Sequence, residues 1–525
     1  MPSPRPARSD ALRATALADV AACVGGVLHG ADLPVSGVSL SSQDIVEGDL
    51  YAALPGANAH GATYAGQAVG AGAVAVLTDA TGARLVAAQG LDVPVVEVTD
   101  PRGVTGAAAS LVYGTRDLPL QLYGVTGTNG KTTTAYLMNS ALEALGHATG
   151  LIGTVETRIL DERVKSMRTT PEATVLHALL AVMVERGVDS CVMEVSSHAL
   201  AQHRVDGVVY DVALFTNLSQ DHLDFHPTMR DYFEAKASLF TPERARRGVV
   251  CVDDAWGREL AERSGVPVTT LSSVEGVDSD WRLLPDPGPS DDPAAFTLTD
   301  GSTTLHLRSA LPGDFNRVNT AMAALALMAS GTDASSTERA LLVDPHVPGR
   351  MERVVVDGPA GLGLPLVVVD YAHTPDAVAA ALRALRADTR GALVVVLGAG
   401  GDRDRGKRAA MGRAAAENAD LVFVTDDNPR SEPPEQIRRA VLEGARAAGT
   451  GARLHDVAGR HAAIAQAVTA GHAAGPGTVV AVVGKGHETG QEVAGTVHPF
   501  DDRDEVRAAL QHLVDIHGTA SGADR

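Results

Sequence analysis

One run of residues narrows the folds open to this chain more than any bulk property: Leu122-Tyr123-Gly124-Val125-Thr126-Gly127-Thr128-Asn129-Gly130-Lys131-Thr132-Thr133. An apolar stretch of strand character enters a glycine-rich turn, and a helical pattern (Ala135, Leu137, Met138, Leu142) follows. A triphosphate requires this arrangement. Small residues let backbone N–H groups approach phosphate oxygens, and the helix N-terminus adds the positive end of its dipole. Lys131 has the reach for β- and γ-phosphates, and the Thr132 hydroxyl is placed to ligate Mg²⁺. The spacing departs from the P-loop pattern G-x-x-x-x-G-K-T. A glycine is expected at 125, where Val125 stands, with Gly124 one place early.

The chain has 525 residues, too many for one core, and two to four domains are expected. Residues 1–118 read as a small α/β unit, with short buried strands at 74–77 and 93–98 and a boundary near Asp117-Leu118-Pro119. Residues 119–347 alternate strand and helix, which implies a mostly parallel sheet covered on both faces, with further strands at 190–195 and 208–215. Residues 284–294 read as a surface loop. Residues 348–525 repeat the alternation, with strands at 366–370, 392–397, 421–424 and 479–483, a Rossmann-like pattern whose loops at the strand ends are where ligands belong. The tail from Gly518 reads as frayed.

A formal net charge of −20 argues against a nucleic-acid partner. Cys23, Cys191 and Cys251 are scattered and odd in number, so no disulfide framework is implied and a reducing cytoplasm fits. No apolar run approaches the length of a membrane span. Residues 1–8 are basic and proline-rich, and the following segment with Arg13 and Asp19 reads as an amphipathic helix rather than a signal peptide.

Several polar constellations follow strands. Glu194 ends a strand in Met193-Glu194-Val195-Ser196-Ser197-His198, where a carboxylate either holds Mg²⁺ or meets water. The segment 216–226 is dense in Asp and His, which suggests zinc, yet no cysteine pair or H-E-x-x-H pattern supports it. Lys236 lies in a helical pattern and by itself reads as a solvated lysine. The segment 311–319 reads as a turn and helix cap. Three loops, 400–408, 426–430 and 484–488, are either charged turns or, together, a pocket with guanidinium groups for a carboxylate and Glu488 for an ammonium group.

The wording T-G-T-N-G-K-T-T, with E-V-S-S, D-H-L-D, D-Y-A-H-T-P and D-N-P-R further along, resembles the Mur ligase family across nearly the whole chain. The resemblance implies an ATP-dependent ligase that joins an amino acid to a carboxylate in peptidoglycan precursor synthesis. It implies three domains, 1–118 for a UDP-muramoyl substrate, 119–347 for ATP and 348–525 for the amino acid. It assigns ATP to Gly127, Thr128, Asn129, Gly130, Lys131, Thr132, Thr133, Asn316, Arg350 and Asp370. Arg350 would bear phosphate charge and Asp370 would accept ribose hydroxyls. Magnesium falls to Thr132, Glu194, His222 and Lys236, the last as a carbamate formed with CO₂, and Lys131, Lys236 and His222 are the expected catalytic groups.

For the UDP-muramoyl-dipeptide the resemblance points to Leu40, Ser42, Ala57, Asn58, Ala59, Thr169, Thr170, Ser196, Gln202 and Arg204. The chain reads Leu40-Ser41-Ser42-Gln43-Asp44 where the family carries D-S-R, so the arginine of that signature is missing. Gln202 and Arg204 are also ordinary surface residues by composition. For the amino acid it points to Arg403, Asp427, Asn428, Pro429, Arg430, Gly484 and Glu488. The D-N-P-R wording resembles diaminopimelate-adding members, since Arg430 offers a fork for a second carboxylate, whereas lysine-adding relatives usually lack it. Two other readings stand beside this one. One is a different ligase of the superfamily, either folylpolyglutamate synthase or a lysine-adding enzyme. The other is a P-loop switch with no ligase activity, which needs no amino-acid pocket. The expected partners are therefore small molecules: ATP, the nucleotide-linked dipeptide and diaminopimelate.

Overall fold

The computed structural model describes residues 14–285, 294–358, 362–402 and 404–520. Three sheets organise it, each with helices packed against it, so the α/β expectation holds.

The amino-terminal sheet has five strands, ordered Val27–His29, Val95–Glu97, Ala75–Thr78, Asp49–Ala52 and Gly37–Ser39, parallel except for the first. Helix Pro101–Val112 covers it. Asp100 caps that helix by accepting the Arg102 N–H, and Pro101 supplies a pre-set φ in the first turn. Ala178 and Ala181, from helix Ala173–Glu185 of the central unit, belong to the same core, so the two units share one apolar seam.

The central sheet has eleven strands, with Gln121–Thr126 between Ser190–Glu194 and Val212–Phe215. Its inner strands are parallel. The hairpin Glu156–Ile159 and Glu162–Lys165 at one end, and Ala295–Thr299 with Thr304–Arg308 at the other, are antiparallel extensions. The carboxyl-terminal sheet has six strands, ordered Glu352–Val354, Leu366–Asp370, Val479–Val483, Leu393–Leu397, Leu421–Val424 and Arg453–Asp456, parallel except for the first. Its valine-rich strands are buried on both faces, which explains their continuous apolar runs.

Some expectations shift. The strand read at 208–215 spans only Val212–Phe215, because Tyr210 forms an isolated bridge with Ala245. Leu284 and Pro285 end a strand, Trp281–Pro285, rather than opening a loop, and 286–293 lie outside the described residues. The first described helix is Leu17–Cys23, and Arg13 lies outside the described residues. The last helix, Asp502–Ala520, continues past Gly518. No helix among the described residues is long and apolar enough to cross a membrane.

The seam between the first two units carries a buried histidine. His177 Nδ1 lies 2.6 Å from Thr115 Oγ1, and Nε2 lies 3.0 Å from the Asp206 carbonyl. One neutral tautomer satisfies both, accepting from the hydroxyl and donating to the carbonyl. Burial pushes its pKa down to about 4. A folded-state value below the ordinary one means the unfolded chain binds the proton more readily, so the contribution is complete above about pH 6.5 and is lost as pH falls towards 4. The full size is on the order of 3 kcal/mol. Urea midpoints between pH 7 and 4.5 should fall less steeply for His177→Gln than for the parent; parallel slopes would remove His177 from the acid response.

Candidate functional site

Strand Gln121–Thr126 runs into the turn 127–130, and helix Lys131–Ala144 begins at once. Gly130 stands at φ 88° with no side-chain capping bond, which leaves the first-turn N–H groups to a ligand. Gly127 stands at φ 146°, and a Cβ there would meet Thr216 Oγ1 at 1.9 Å. The consensus departure has a packing cause. Gly124 lies under the Tyr210 ring, where a Cβ would approach to 2.9 Å, and Val125 is a fully buried strand residue. Gly124 thus serves the core, and the phosphate turn begins at Gly127. The turn is laced to the next strand end: Thr128 N–H donates to the Asn217 carbonyl, Asn129 N–H to Asn217 Oδ1, and Thr216 Oγ1 to the Asn129 carbonyl.

Two lysines converge on this turn. Lys131 Nζ donates to the carbonyls of Gly127 and Thr128, both at 2.9 Å. Lys236 Nζ donates to the same Gly127 carbonyl at 2.7 Å and lies 4.7 Å above the Tyr232 ring. Lys236 is only 1% exposed, so the solvated-lysine reading is wrong. Helix Met229–Ala237 begins at the capping residue Thr228, and its inward face carries Tyr232, Phe233 and Lys236. Burial, with the nearby Lys131 charge, holds the Lys236 amine well below the usual lysine range.

Glu194 is likewise buried rather than open to water. Its Oε2 accepts from Thr132 Oγ1 and Thr154 Oγ1, both at 2.9 Å, and Oε1 accepts the Thr154 N–H at 2.7 Å. From the far side of the interdomain cavity, Arg350 Nη2 donates to Thr132 Oγ1 at 3.1 Å while its guanidinium stacks on Tyr371. His222 faces this group at φ 55°, and burial lowers its pKa to about 3 against the opposing Asp221 charge, with Lys131, His198 and Lys236 adding to the lowering. A neutral imidazole, a carboxylate and a hydroxyl make a donor set that fits a hard divalent cation. No group of three His, Cys, Asp or Glu that could hold a metal occurs among the described residues, so the zinc reading gains no support.

These groups open onto one cavity of about 1040 Å³ between the central and carboxyl-terminal units. Thr128, Asn129, Gly130, Lys131, Thr132, Thr133, Asn316, Arg350 and Asp370 line it, whereas Gly127 does not. Asn316 is buried at the start of helix Asp314–Ala329, its amide spanning the Pro312 carbonyl and Asn319. Asp370 is committed beyond the expected ribose contact, since its two oxygens accept the N–H groups of Met351 and Ala372, each at 2.8 Å.

Thr169, Thr170, Ser196 and Arg204 line the same cavity. Arg204 is buried, against its reading as a surface residue. It pairs with Glu172 at 3.0 Å and donates to Gln202 Oε1 at 2.5 Å, so Gln202 sits one layer back. Glu172 also pairs with Arg102 and Arg168, which leaves this corner with an excess of positive charge. Leu40, Ser42, Ala57, Asn58 and Ala59 lie on the amino-terminal unit, outside the cavity lining. Ser42 bonds Gln67, and residues 57–59 form an exposed turn closed by the Gly56 N–H on the Ala59 carbonyl.

Asp427, Asn428, Arg430, Gly484 and Glu488 also reach the cavity. Pro429 does not; its carbonyl packs where a Cβ on Gly401 would lie 1.9 Å away. Arg403 lies outside the described residues. Arg430, at φ 52°, donates from Nη1 to the Gly401 carbonyl at 2.6 Å and pairs with Glu492 at 3.2 Å, so its fork is partly engaged. Sequence reasoning missed three groups in this lining: His373, whose Nε2 is 3.9 Å from Asp221, and the cations Lys407 and Arg168. It also missed Lys485, fully buried beneath the acceptor loops. A lysine between two glycines, Gly484 and Gly486, just after a buried strand was the available signal.

Comparisons with known proteins agree with this geometry. Residues 34–113 match the Mur ligase family catalytic domain, 125–328 the Mur ligase middle domain, and 349–486 the Mur ligase glutamate ligase domain. The UDP-N-acetylmuramoyl-L-alanyl-D-glutamate–2,6-diaminopimelate ligase of Streptomyces avermitilis is 51% identical over 515 residues, covering 97% of this chain and 99% of the relative. The UDP-N-acetylmuramyl-tripeptide synthetase of Leifsonia xyli subsp. xyli is 47% identical over 518 residues, covering 97% and 98%. A solved UDP-N-acetylmuramoyl-L-alanyl-D-glutamate–2,6-diaminopimelate ligase superposes with a TM-score of 0.65 at 31% identity, covering 95% of this chain and 99% of the other.

Proposed function

The chain belongs to the Mur ligase family, and from that premise we propose that it joins 2,6-diaminopimelate to the D-glutamate of UDP-N-acetylmuramoyl-L-alanyl-D-glutamate, with ATP as the energy source, in peptidoglycan precursor synthesis. The units 1–118, 119–347 and 348–525 then serve the nucleotide-linked dipeptide, ATP and the amino acid. A cytoplasmic setting follows from those substrates. The observation that carries the reading is the single cavity, on which the phosphate turn, the positively charged Arg204 corner and the 427–430 and 484–488 loops all open.

A carboxylate is a poor electrophile at neutral pH, so the D-glutamate γ-carboxylate attacks the γ-phosphorus of ATP, giving an acyl phosphate and ADP. The acceptor amine attacks the acyl carbon, and phosphate leaves. The chain positions these groups and neutralises charge. Lys131 and the first-turn N–H groups take the phosphates, Arg350 adds charge from the opposite unit, and Thr169, Thr170, Ser196 and Arg204 hold the dipeptide. Thr132, Glu194 and His222 would hold Mg²⁺, which supplies charge neutralisation at phosphate oxygens when bound. Asp427, Asn428 and Glu488 suit the distal ammonium of diaminopimelate and Arg430 its distal carboxylate.

Phosphate release from ATP should require both the nucleotide-linked dipeptide and diaminopimelate. Turnover indifferent to the amino acid, or equal use of lysine, would sink the reading. Two variants refine it. Burial and the nearby Lys131 charge depress the Lys236 amine, which favours the neutral form that CO₂ requires, and its carbamate would add oxygen donors at the cation site. Lys236→Ala should lose most activity while keeping its circular dichroism, and a small carboxylic acid should restore part of it; an alanine variant as active as the parent removes the carbamate role. Arg430→Ala should raise the diaminopimelate KM at least about tenfold, since a charge-assisted hydrogen bond contributes roughly 1.5–3 kcal/mol and about 1.4 is a factor of ten. The ATP KM should hold; equal losses for both substrates would reassign Arg430 to folding or closure.

A further inference from the structure

Beneath the acceptor loops lies a buried ammonium group that the reaction as derived does not use. Lys485 is 0% exposed. Its Nζ donates to Glu488 Oε2 at 2.8 Å and to Asn428 Oδ1 at 3.0 Å, and it lies 3.6 Å from Asp427 Oδ1. Asn428 closes the triangle by donating from Nδ2 to Glu488 Oε2 at 2.9 Å. The backbone around the group is pinned too, as the Glu488 N–H donates to the Lys485 carbonyl and the Glu492 N–H to Asn428 Oδ1.

We propose that Lys485 is a positioning and specificity residue of the acceptor pocket. From below it fixes the Glu488 carboxylate and cancels one of the pocket's two negative charges. The proposal rests on the reading of this pocket as the acceptor site. Glutamate has three rotatable bonds, and a partly exposed one samples several rotamers unless it is held. Lys485 and Asn428 both bind Oε2, which leaves Oε1 for a ligand. Charge counting points the same way. Asp427 and Glu488 bring two negative charges and Lys485 one positive, so the trio has a net charge of −1, the complement of one ammonium. The neighbouring Arg460 does not alter the count, because its guanidinium pairs with the equally buried Asp502. Asp427 Oδ1 is buried without a hydrogen bond and faces the Lys485 Nζ at 3.6 Å, so the lysine charge compensates it as well. Without Lys485 the trio would carry −2 and favour a more cationic acceptor. Lysine, with no distal carboxylate, is more cationic than diaminopimelate, so Lys485 favours the zwitterionic distal end.

The test compares parent, Lys485→Met, Glu488→Gln and the double variant in steady-state kinetics with diaminopimelate, lysine and ATP. If the parent ignores diaminopimelate, the acceptor reading falls and this proposal with it. With a diaminopimelate-dependent parent, Lys485→Met should raise the diaminopimelate KM by about tenfold or more, as expected when one partner of a buried ion pair is removed. The ATP KM should stay within about twofold, and the preference for diaminopimelate over lysine should shrink. Because Lys485 acts through Glu488, and the double variant restores the net charge of −1 that Glu488→Gln removes, the loss in the double variant should not exceed that of Glu488→Gln, and the two losses should not multiply. The double variant removes both charges together, so the comparison between it and Glu488→Gln decides the matter even if Lys485→Met fails to fold. An unchanged diaminopimelate KM, a matching rise in the ATP KM, or multiplied losses in the double variant would each overturn the proposal.

Discussion

Two lysine amines bonded to one carbonyl oxygen form the constraint on which the rest of the site depends. The Gly127 carbonyl accepts from Lys131 at 2.9 Å and from Lys236 at 2.7 Å. Two full charges so close in a water-poor setting are costly, and burial lowers the pKa of both amines. Lys236 is the more enclosed of the two and is held well below the usual lysine range. The shared carbonyl ties helix Met229–Ala237 to the phosphate turn.

The carboxyl-terminal unit meets this arrangement through a short hinge that cannot move independently of the acceptor loop. A Cβ on Gly349 would lie 2.1 Å from the His487 nitrogen, and one on Gly486 would lie 2.7 Å from the Gly349 carbonyl oxygen. The next residue, Arg350, reaches across to Thr132 Oγ1, which in turn donates to Glu194. The chain of contacts therefore runs from the acceptor loop, through two close-packed glycines, to the hydroxyl at the start of the phosphate-binding helix. The acceptor loop and Arg350 are thus held in one set of contacts with the phosphate-binding helix.

The strands of the carboxyl-terminal sheet were legible because they are buried on both faces, so apolar runs and strand limits coincide at Leu366–Asp370, Leu421–Val424 and Val479–Val483. The edge hairpin Glu156–Ile159 and Glu162–Lys165 was not, because its strands carry charge and show no alternation, the outer one being exposed throughout. At the site, Lys131 and Glu194 could be placed from their positions after strands. Their environments could not. Tyr232 lies one helical turn from Lys236, but Gly127 and Lys131, which enclose the amine from the other side, come from a distant segment that nothing near Lys236 announces. Lys485 stood in a loop read either as a charged turn or as part of an amino-acid pocket, and only folding turns the lysine inwards beneath Asn428 and Glu488.

Backbone strain shows what several carboxylates are for. His222, Met351 and Arg430 adopt positive φ without being glycine, and all three border the cavity. Each such residue costs on the order of 1–3 kcal/mol. A hydrogen bond to a charged acceptor contributes about 1.5–3 kcal/mol, enough to offset that cost, whereas a neutral one contributes only about 0.5–1.5. The His222 N–H donates to Asp221 Oδ1 at 2.9 Å and the Met351 N–H to Asp370 Oδ2 at 2.8 Å, both charge-assisted. Arg430 has neutral partners but two of them, the Glu492 carbonyl at 3.0 Å and the Ala494 N–H at 2.7 Å. Asp221 and Asp370 are therefore backbone clamps before they are ligand contacts. Removing either would release the turn that aims His222 or Arg350, and the loss would appear at the phosphate end of the cavity even if neither carboxylate touched the nucleotide.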